Sequence, residues 1–169
     1  MIVPKYALIE NERRFVVAPA RSPRLDAATA VLLDDLYIDG GRLRLRPNTA
    51  PDGGVILKLA KKYAGATSAS RPMTNLYLDS DEFGVLARLP GCRVRKRRHR
   101  MPSGFVVDVF EGPLTGLILS EIEADSATVE AAATPDWVAA EVTADPHYDG
   151  GGLSRWTSAD LAAHRARYG

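Results

Sequence analysis

Strict alternation of residue types along several short segments is the feature of this sequence that most limits its fold. In residues 42–46, arginine and leucine alternate at every position. Successive side chains of a β-strand point to opposite faces of a sheet, so a period of two indicates a strand with two chemically different faces. The same period recurs along the 169 residues, whereas helical periodicity is confined to short segments. The sequence therefore predicts a mainly β (α+β) fold.

Eight segments are predicted to be strands. They cover residues 6–17, 31–38, 42–46, 55–59, 74–78, 93–99, 105–110 and 117–123. Turn-forming residues separate several of them, as in Gly40-Gly41, the Pro- and Gly-rich stretch 47–54 and the small polar stretch 65–70. Eight strands with short connections favour an antiparallel β-barrel, whose interior has room for side chains or one small ligand.

Helices are predicted to be few and short. Capping patterns at residues 79–82 and 157–160 place helices at about 80–89 and 158–167. Two further helices are expected at residues 22–30 and 126–133. Because no long linker or internal repeat interrupts the pattern, we expect a single domain over residues 1–169.

Composition excludes several classes of protein. Hydrophobic residues make up 46% and charged residues 25%, which rules out intrinsic disorder. The net charge of +1 gives no general attraction to nucleic acid or to an anionic membrane. No apolar run is long enough to span a bilayer, the N-terminus does not resemble a secretory signal, and one cysteine excludes a disulfide framework. We expect a cytoplasmic monomer or homodimer with no nucleic-acid or membrane partner.

Charged residues share one face of several predicted strands. Glu10, Glu12 and Arg14 share a face of the first strand, and Glu121 and Glu123 share a face of the last. For any one strand alone, a charged face is ordinarily the solvent face. Two basic strands accompany the acidic ones, and this joint pattern favours charged faces that point into the barrel. In the two basic strands, the basic residues that share a face are Arg42, Arg44 and Arg46 in one strand, and Lys96, Arg98 and Arg100 in the other.

An interior with both sets of charges is suited to a metal-bound polyphosphate. Clustered carboxylates repel one another and therefore raise their pKa values or recruit a cation. Carboxylate oxygens without His or Cys favour Mg²⁺ or Mn²⁺. Arginine guanidinium groups match phosphate oxygens in a two-pronged geometry. A small-molecule triphosphate is accordingly the expected partner.

At this point the ordered motifs resemble the CYTH superfamily, the triphosphate tunnel metalloenzymes. Glu10-x-Glu12-x-Arg14 is similar to the Glu-x-Glu-x-Lys signature of that family. Further matches follow in order, with compatible spacing, over about residues 5–154. They are Arg44-x-Arg46, a lysine-bearing strand, Lys96-x-Arg98, Asp108-Val-Phe-x-Gly112, Glu121-x-Glu123 and Glu141-Val-Thr-x-Asp145-x-x-Tyr148.

The resemblance implies a fold, an activity and a set of residue roles. The fold is an eight-stranded antiparallel tunnel, and the activity is metal-dependent hydrolysis of a triphosphate. Glu10, Glu12, Glu121 and Glu123 would form the metal-binding side. Lys96 would contact phosphate or act as the base that activates water. The expected phosphate-binding residues are Arg14, Arg44, Arg46, Lys58 and Arg98.

Three positions depart from the family pattern, and a fourth is left open. Arg14 stands where the signature has lysine, and an arginine has a different bulk and geometry. Met73 and Asn75 stand where many members carry two glutamates, which thins one acidic wall. The lysine of the fourth strand could be residue 58, 61 or 62, of which Lys58 has the clearest strand context.

Several functions fit the sequence. Hydrolysis of inorganic tripolyphosphate comes first, because no added segment is apparent that would bind an organic group. A thiamine triphosphatase or a class IV-type adenylyl cyclase would act on an organic triphosphate instead. A non-catalytic polyphosphate-binding module is a different class, and the three departures keep it open. Nucleic-acid binding through the basic stretch 93–100 is a further alternative, against which the low net charge argues.

Overall fold

A computed structural model of the chain, described for residues 3–65 and 67–169, contains nine β-strands and four short α-helices in those residues. The strands are β1 (Leu8–Val17), β2 (Val31–Ile38), β3 (Leu43–Thr49), β4 (Val55–Lys62), β5 (Ser70–Leu78), β6 (Gly91–Arg100), β7 (Val106–Phe110), β8 (Ile118–Ala124) and β9 (Val138–Glu141). The helices are α1 (Ser80–Leu86), α2 (Ser126–Ala131), α3 (Gly150–Leu153) and α4 (Ser158–Tyr168).

Eight of the strands close into an antiparallel barrel. Their order is β5-β4-β3-β2-β6-β7-β8-β1, and pairing of β1 with β5 completes the circle. β1 pairs with β5 through its first residues, while its last residues pair with β9. The predicted eight-stranded antiparallel barrel is therefore confirmed, with β9 as an additional strand outside it.

Two local predictions are wrong. Residues 22–30 do not form a helix; only short 3₁₀ turns at Pro19–Arg21 and Ala27–Thr29 are present in this part of the chain. Pro23 disfavours helical geometry at the preceding Ser22, whose ψ is 131°. The predicted loop at 47–54 begins too early, since β3 continues through Pro47. The predicted loop at 65–70 includes residue 66, which lies outside the described residues.

Apolar clusters cover the outside of the barrel. Phe83 and Leu86 of α1 pack over Leu36 and Leu45, which lie on the outer faces of β2 and β3. A second cluster joins the outward-facing residues of β1 and β8 to the segment before β9. Its members are Phe15, Phe105 and Ile122, with Met101, Ala132, Trp137 and Val138 packed against them. With these outer faces apolar and covered, the alternate residues of the same strands point inward.

The C-terminal segment closes one end of the interior. Val16, Val94, Phe110 and Leu119, which face inward from β1, β6, β7 and β8, pack against it in a third apolar cluster. The segment contributes Tyr148, Leu153 and Leu161, with Trp156 and Tyr168 packed against the cluster. α4 begins with a capping box between Thr157 and Asp160, as predicted. Within the described residues, no helix combines the length and the apolar character needed to cross a bilayer.

Candidate active site in the barrel interior

A cavity of about 1260 Å³ occupies the barrel interior. All ten residues that the sequence assigned to metal or phosphate line it. They are Glu10, Glu12, Arg14, Arg44, Arg46, Lys58, Lys96, Arg98, Glu121 and Glu123. The charged faces thus point inward, while the roles assigned to the individual residues stay predictions.

Three carboxylates form one side of the cavity. Glu12 of β1 lies directly opposite Glu123 of β8. Lys62 contacts Glu10, and its Nζ lies 3.3 Å from Glu12 Oε1. Partial burial and the charges of Glu10 and Glu12 together raise the pKa of Glu123 above that of an ordinary glutamate. The surroundings of Glu123 therefore disfavour its charged form.

The chemistry of this side fits a hard divalent cation. Its donors are carboxylate oxygens, which Mg²⁺ and Mn²⁺ prefer. Glu10 Oε2 is buried and accepts no hydrogen bond of regular geometry, although Lys62 lies beside it. In residues 3–65 and 67–169, no three metal-binding side chains are already gathered as a ligand set. Glu10, Glu12 and Glu123 would be the residues to hold such a cation, and Lys62 contacts the first two of them.

Glu121 has different surroundings from these three carboxylates. Its Oε1 accepts a 2.8 Å hydrogen bond from Arg14 Nε, and its Oε2 accepts one of 2.7 Å from Arg98 Nη2. Burial alone would raise the pKa of Glu121, but Lys96, Arg14 and Arg98 outweigh it and hold that pKa well below its usual range. Both oxygens of Glu121 are thus engaged with cations. Its expected role as a metal ligand stays a prediction.

Asp35 binds two arginines on the opposite side of the cavity. Arg46 donates to Asp35 through Nε and through Nη2, the latter at 2.6 Å, and Arg44 Nε lies 3.7 Å from Asp35 Oδ1. Burial alone would raise the pKa of Asp35, but Arg46 and Arg44 lower it to about 2. The sequence alone had not pointed to a role for this aspartate.

Asp108 binds two of the cations of β6 that face inward, Lys96 and Arg98. Arg98 donates to it through Nε at 2.7 Å and Nη2 at 2.6 Å, and Lys96 Nζ donates to the same carboxylate. Burial lowers the pKa of Lys96, against an opposing effect of Asp108. Asp108 belongs to one of the motifs shared with the CYTH superfamily, but no function was predicted for it from sequence. Asp108 is the single charged residue of an otherwise apolar strand. This pattern in the sequence could have indicated that Asp108 faces the charged interior.

β4 supplies two lysines to the cavity. Lys58 and Lys62 both line it, because residues four apart in a strand share a face. Lys61 faces the other way and lies over the ring of Tyr63, with its Nζ 5.2 Å from the centroid. The preference for Lys58 over Lys61 is consistent with this placement, but Lys62, which contacts the acidic side, was not selected.

The basic stretch of β6 divides between two faces. Lys96 and Arg98 point into the cavity, whereas Arg95 and Arg97 point outward and both donate to Glu111, at 2.7 and 2.6 Å. The pKa of Glu111 lies below its usual range; burial opposes this shift, and the two arginines cause it. The stretch that suggested a nucleic-acid surface is thus split between the interior and an outer face whose charge Glu111 partly neutralises.

Comparisons with known proteins agree with this architecture. No protein-family model matches the chain, and no curated protein matches it. Among solved structures, one of NE1496, described as a hypothetical protein, is 30% identical, covers 86% of this chain and 97% of that chain, and has a TM-score of 0.54. A second structure, described as the inorganic triphosphatase NE1496, is 28% identical, with coverages of 88% and 95% and a TM-score of 0.55. The chain belongs to the CYTH superfamily. The PH1819 protein of Pyrococcus horikoshii OT3 shares the fold at 16% identity, with coverages of 72% and 82% and a TM-score of 0.50.

The three residues that depart from the CYTH pattern all line the cavity. Arg14, in place of the signature lysine, bridges two carboxylates, since it donates to Glu121 at 2.8 Å and to Glu12 at 3.0 Å. Met73 and Asn75 line the cavity from β5 at the positions where many CYTH members place glutamates. The acidic side of this member is therefore built by β1 and β8.

Proposed function

We propose that this chain is an Mg²⁺- or Mn²⁺-dependent triphosphatase that hydrolyses the terminal phosphoanhydride bond of inorganic tripolyphosphate in the cytoplasm. The observation that carries the proposal is the meeting of inward-facing cations and carboxylates in one cavity of a CYTH barrel. The description of the structurally similar NE1496 as an inorganic triphosphatase supports the same activity.

The cationic side would bind the phosphate chain. Arg44, Arg46 and Arg98 line the cavity, and a guanidinium group pairs with two phosphate oxygens at once. Lys58 adds a point charge on β4, and Arg14 adds a further cation beside the acidic side. Such preorganised donors stabilise charge on the phosphoryl group during its transfer.

The acidic side would hold the metal. Glu10, Glu12 and Glu123 have the appropriate oxygen donors, and Glu121 completes the set that the resemblance implies. When bound, Mg²⁺ or Mn²⁺ would neutralise charge on the phosphate oxygens. Lys62 would leave its place between Glu10 and Glu12 and become available to the phosphates.

Lys96 is the residue that we propose activates the attacking water. The oxygen of water would attack the terminal phosphorus, the bond to the bridging oxygen would break, and orthophosphate and pyrophosphate would leave. Neutral Lys96 Nζ would accept the proton of that water, and its burial favours the neutral form. In its charged form, Lys96 would instead contact phosphate.

The test is orthophosphate release from tripolyphosphate, ATP and thiamine triphosphate, each with Mg²⁺, Mn²⁺ or a chelator. We expect metal-dependent release that is fastest with tripolyphosphate, because the cavity is lined by cations and we identify no segment dedicated to an organic group. Faster turnover of thiamine triphosphate or ATP would replace the substrate assignment. Formation of cyclic AMP from ATP would indicate a cyclase.

A non-catalytic polyphosphate-binding module is the second candidate. The specific observations that favour it are Arg14 in place of lysine and the two uncharged residues Met73 and Asn75 on β5. This candidate predicts tight binding of tripolyphosphate without turnover in excess metal. The same samples therefore distinguish the two functions.

A further inference from the structure

Two carboxylates of the barrel interior have no exposed surface and lie behind the phosphate-binding cations. Asp35 of β2 and Asp108 of β7 are both 0% exposed. Each is bound to two of the cations assigned to phosphate or water, namely Arg44 and Arg46, or Lys96 and Arg98. They lie on the two strands that flank β6 in the sheet. Neither has a part in binding metal or in the chemical step as proposed above.

The two sites use the same hydrogen-bond geometry. Asp35 accepts from the Nε and Nη2 groups of Arg46, and Asp108 accepts from the Nε and Nη2 groups of Arg98. A guanidinium group is planar and has five N–H donors in a fixed arrangement. With the Nε–Nη2 edge bound to a buried aspartate, the Nη1 group lies at a different edge of the same plane. Within the described residues, Nη1 of Arg46 and Nη1 of Arg98 donate no hydrogen bond to protein.

We propose that Asp35 and Asp108 are positioning residues, which hold the guanidinium planes of Arg46 and Arg98 so that their free donors meet phosphate oxygens without rearrangement. This inference rests on the proposed binding of a triphosphate. Long arginine side chains lose conformational entropy when a ligand orders them, and a buried carboxylate removes that loss from the binding step. It also compensates cations that would otherwise be buried without a partner.

Charge alone makes the opposite prediction for ligand binding. A carboxylate in the wall repels an anionic ligand, so its removal would tighten triphosphate binding if Asp35 acted only through its charge. If Asp35 positions Arg46, its removal weakens binding because the guanidinium loses its fixed orientation. The sign of the change in affinity therefore separates positioning from simple neutralisation.

The test is calorimetric binding of tripolyphosphate to the full-length Asp35→Asn variant, with divalent metal chelated so that no turnover occurs. We expect an affinity about tenfold weaker than wild type, which corresponds to one charge-assisted hydrogen bond. An affinity equal to or tighter than wild type would overturn the proposal. If wild-type protein failed to bind tripolyphosphate here and also released no orthophosphate from it with Mg²⁺ or Mn²⁺, the proposed function would fall instead.

Glu111→Gln is the matched control. Glu111 also pairs with two arginines of β6, but these lie on its outer face. This variant also removes one negative charge that pairs with two arginines, but at a position just after β7 that does not line the cavity, so its tripolyphosphate affinity should stay within about twofold of wild type. An equal loss of affinity in both variants would contradict a positioning role for Asp35.

Two further measurements test the proposal if the Asp35→Asn variant does not fold. Asp108→Asn tests the second site and should weaken binding in the same direction. ¹⁵N relaxation of arginine Nε–H groups in wild-type protein needs no variant at all. Arg46 and Arg98 should be rigid before tripolyphosphate is added; ordering of these two groups only after its addition would overturn the proposal.

Discussion

Glu123 is the carboxylate of the barrel interior in which burial and like charge are least compensated. Glu12, Glu10 and Glu121 each contact a lysine or an arginine, whereas Glu123 forms no ion pair with a described residue. Its raised pKa follows from burial and from the charges of Glu10 and Glu12. Relative to the unfolded chain, folding therefore favours the protonated form of Glu123. At neutral pH its charge therefore opposes folding unless a cation compensates it.

Glu123→Gln should raise stability and lower activity at the same time. In the presence of a chelator, its melting temperature at pH 7 should exceed that of wild type, because the repulsion from Glu10 and Glu12 is gone. The difference should shrink as the pH falls toward about 4.3, the ordinary pKa of glutamate, since wild-type Glu123 then becomes neutral. Metal-dependent phosphate release should fall about 100-fold. A variant with normal turnover would exclude Glu123 from the metal site.

Lys96→Ala separates the two roles considered for Lys96. If Lys96 accepts a proton from water, kcat should fall by about 100-fold or more, with a smaller change in KM. Steady-state kinetics with tripolyphosphate give both constants. A rise in KM at unchanged kcat would make Lys96 a phosphate-binding residue only.

At the scale of elements, the charged faces were predictable and their compensating groups were not. A period of two places Glu10, Glu12 and Arg14 on one face from sequence alone. Which face points inward depends on the apolar clusters that cover the outside, and these join residues distant in sequence. The partnership of Asp108 with Lys96 and Arg98 depends on the register between β6 and β7, which alternation does not specify. β9, at Val138–Glu141, was missed because its four residues show no alternation.

The contact between β2 and the C-terminal segment is a second feature that the sequence did not reveal. Tyr37 lies so close to Gly150 that a Cβ at this position would overlap the tyrosine hydroxyl oxygen. The Tyr37 pKa is raised to about 12 by burial and by Asp35, so this hydroxyl is neutral. The close approach explains why a residue without a side chain is needed where α3 begins.

Gly150→Ala should destabilise the closed end of the barrel. Overpacking of this kind costs about 1–3 kcal/mol, and we expect the melting temperature to fall by roughly 3–10 °C. Gly84→Ala is the control, because nothing lies within 4 Å of a Cβ at this α1 position. The control should be neutral or stabilising by about 0.5–1 kcal/mol, as alanine favours a helix over glycine. Equal melting temperatures for both variants would contradict the described contact.

At the scale of the whole molecule, the binding wall exists only when the barrel is closed. The charged residues that line the cavity come from β1, β2, β3, β4, β5, β6 and β8, and β1 joins β5 to complete the circle. A ligand that contacts this wall binds the folded state and has little affinity for the unfolded chain. Its binding free energy therefore adds to the stability of the fold.

Tripolyphosphate should therefore raise the melting temperature of the wild-type protein. At a concentration about 100 times its dissociation constant, the added stability is about 2.7 kcal/mol, or roughly 5–10 °C for a chain of this size. Thermal unfolding with tripolyphosphate, and with sulfate at equal ionic strength, measures the effect. A shift of the same size with both salts would show that ionic strength, and not the cavity, is responsible.

We propose that the inward-facing charges form a metal-dependent hydrolytic site. The initial rate of orthophosphate release from tripolyphosphate, measured over a range of Mg²⁺ concentrations, tests this most directly. We expect a rate that rises with Mg²⁺ to a plateau and is abolished by a chelator. Tight tripolyphosphate binding with no release at any Mg²⁺ or Mn²⁺ concentration would contradict it and leave a polyphosphate-binding module in its place.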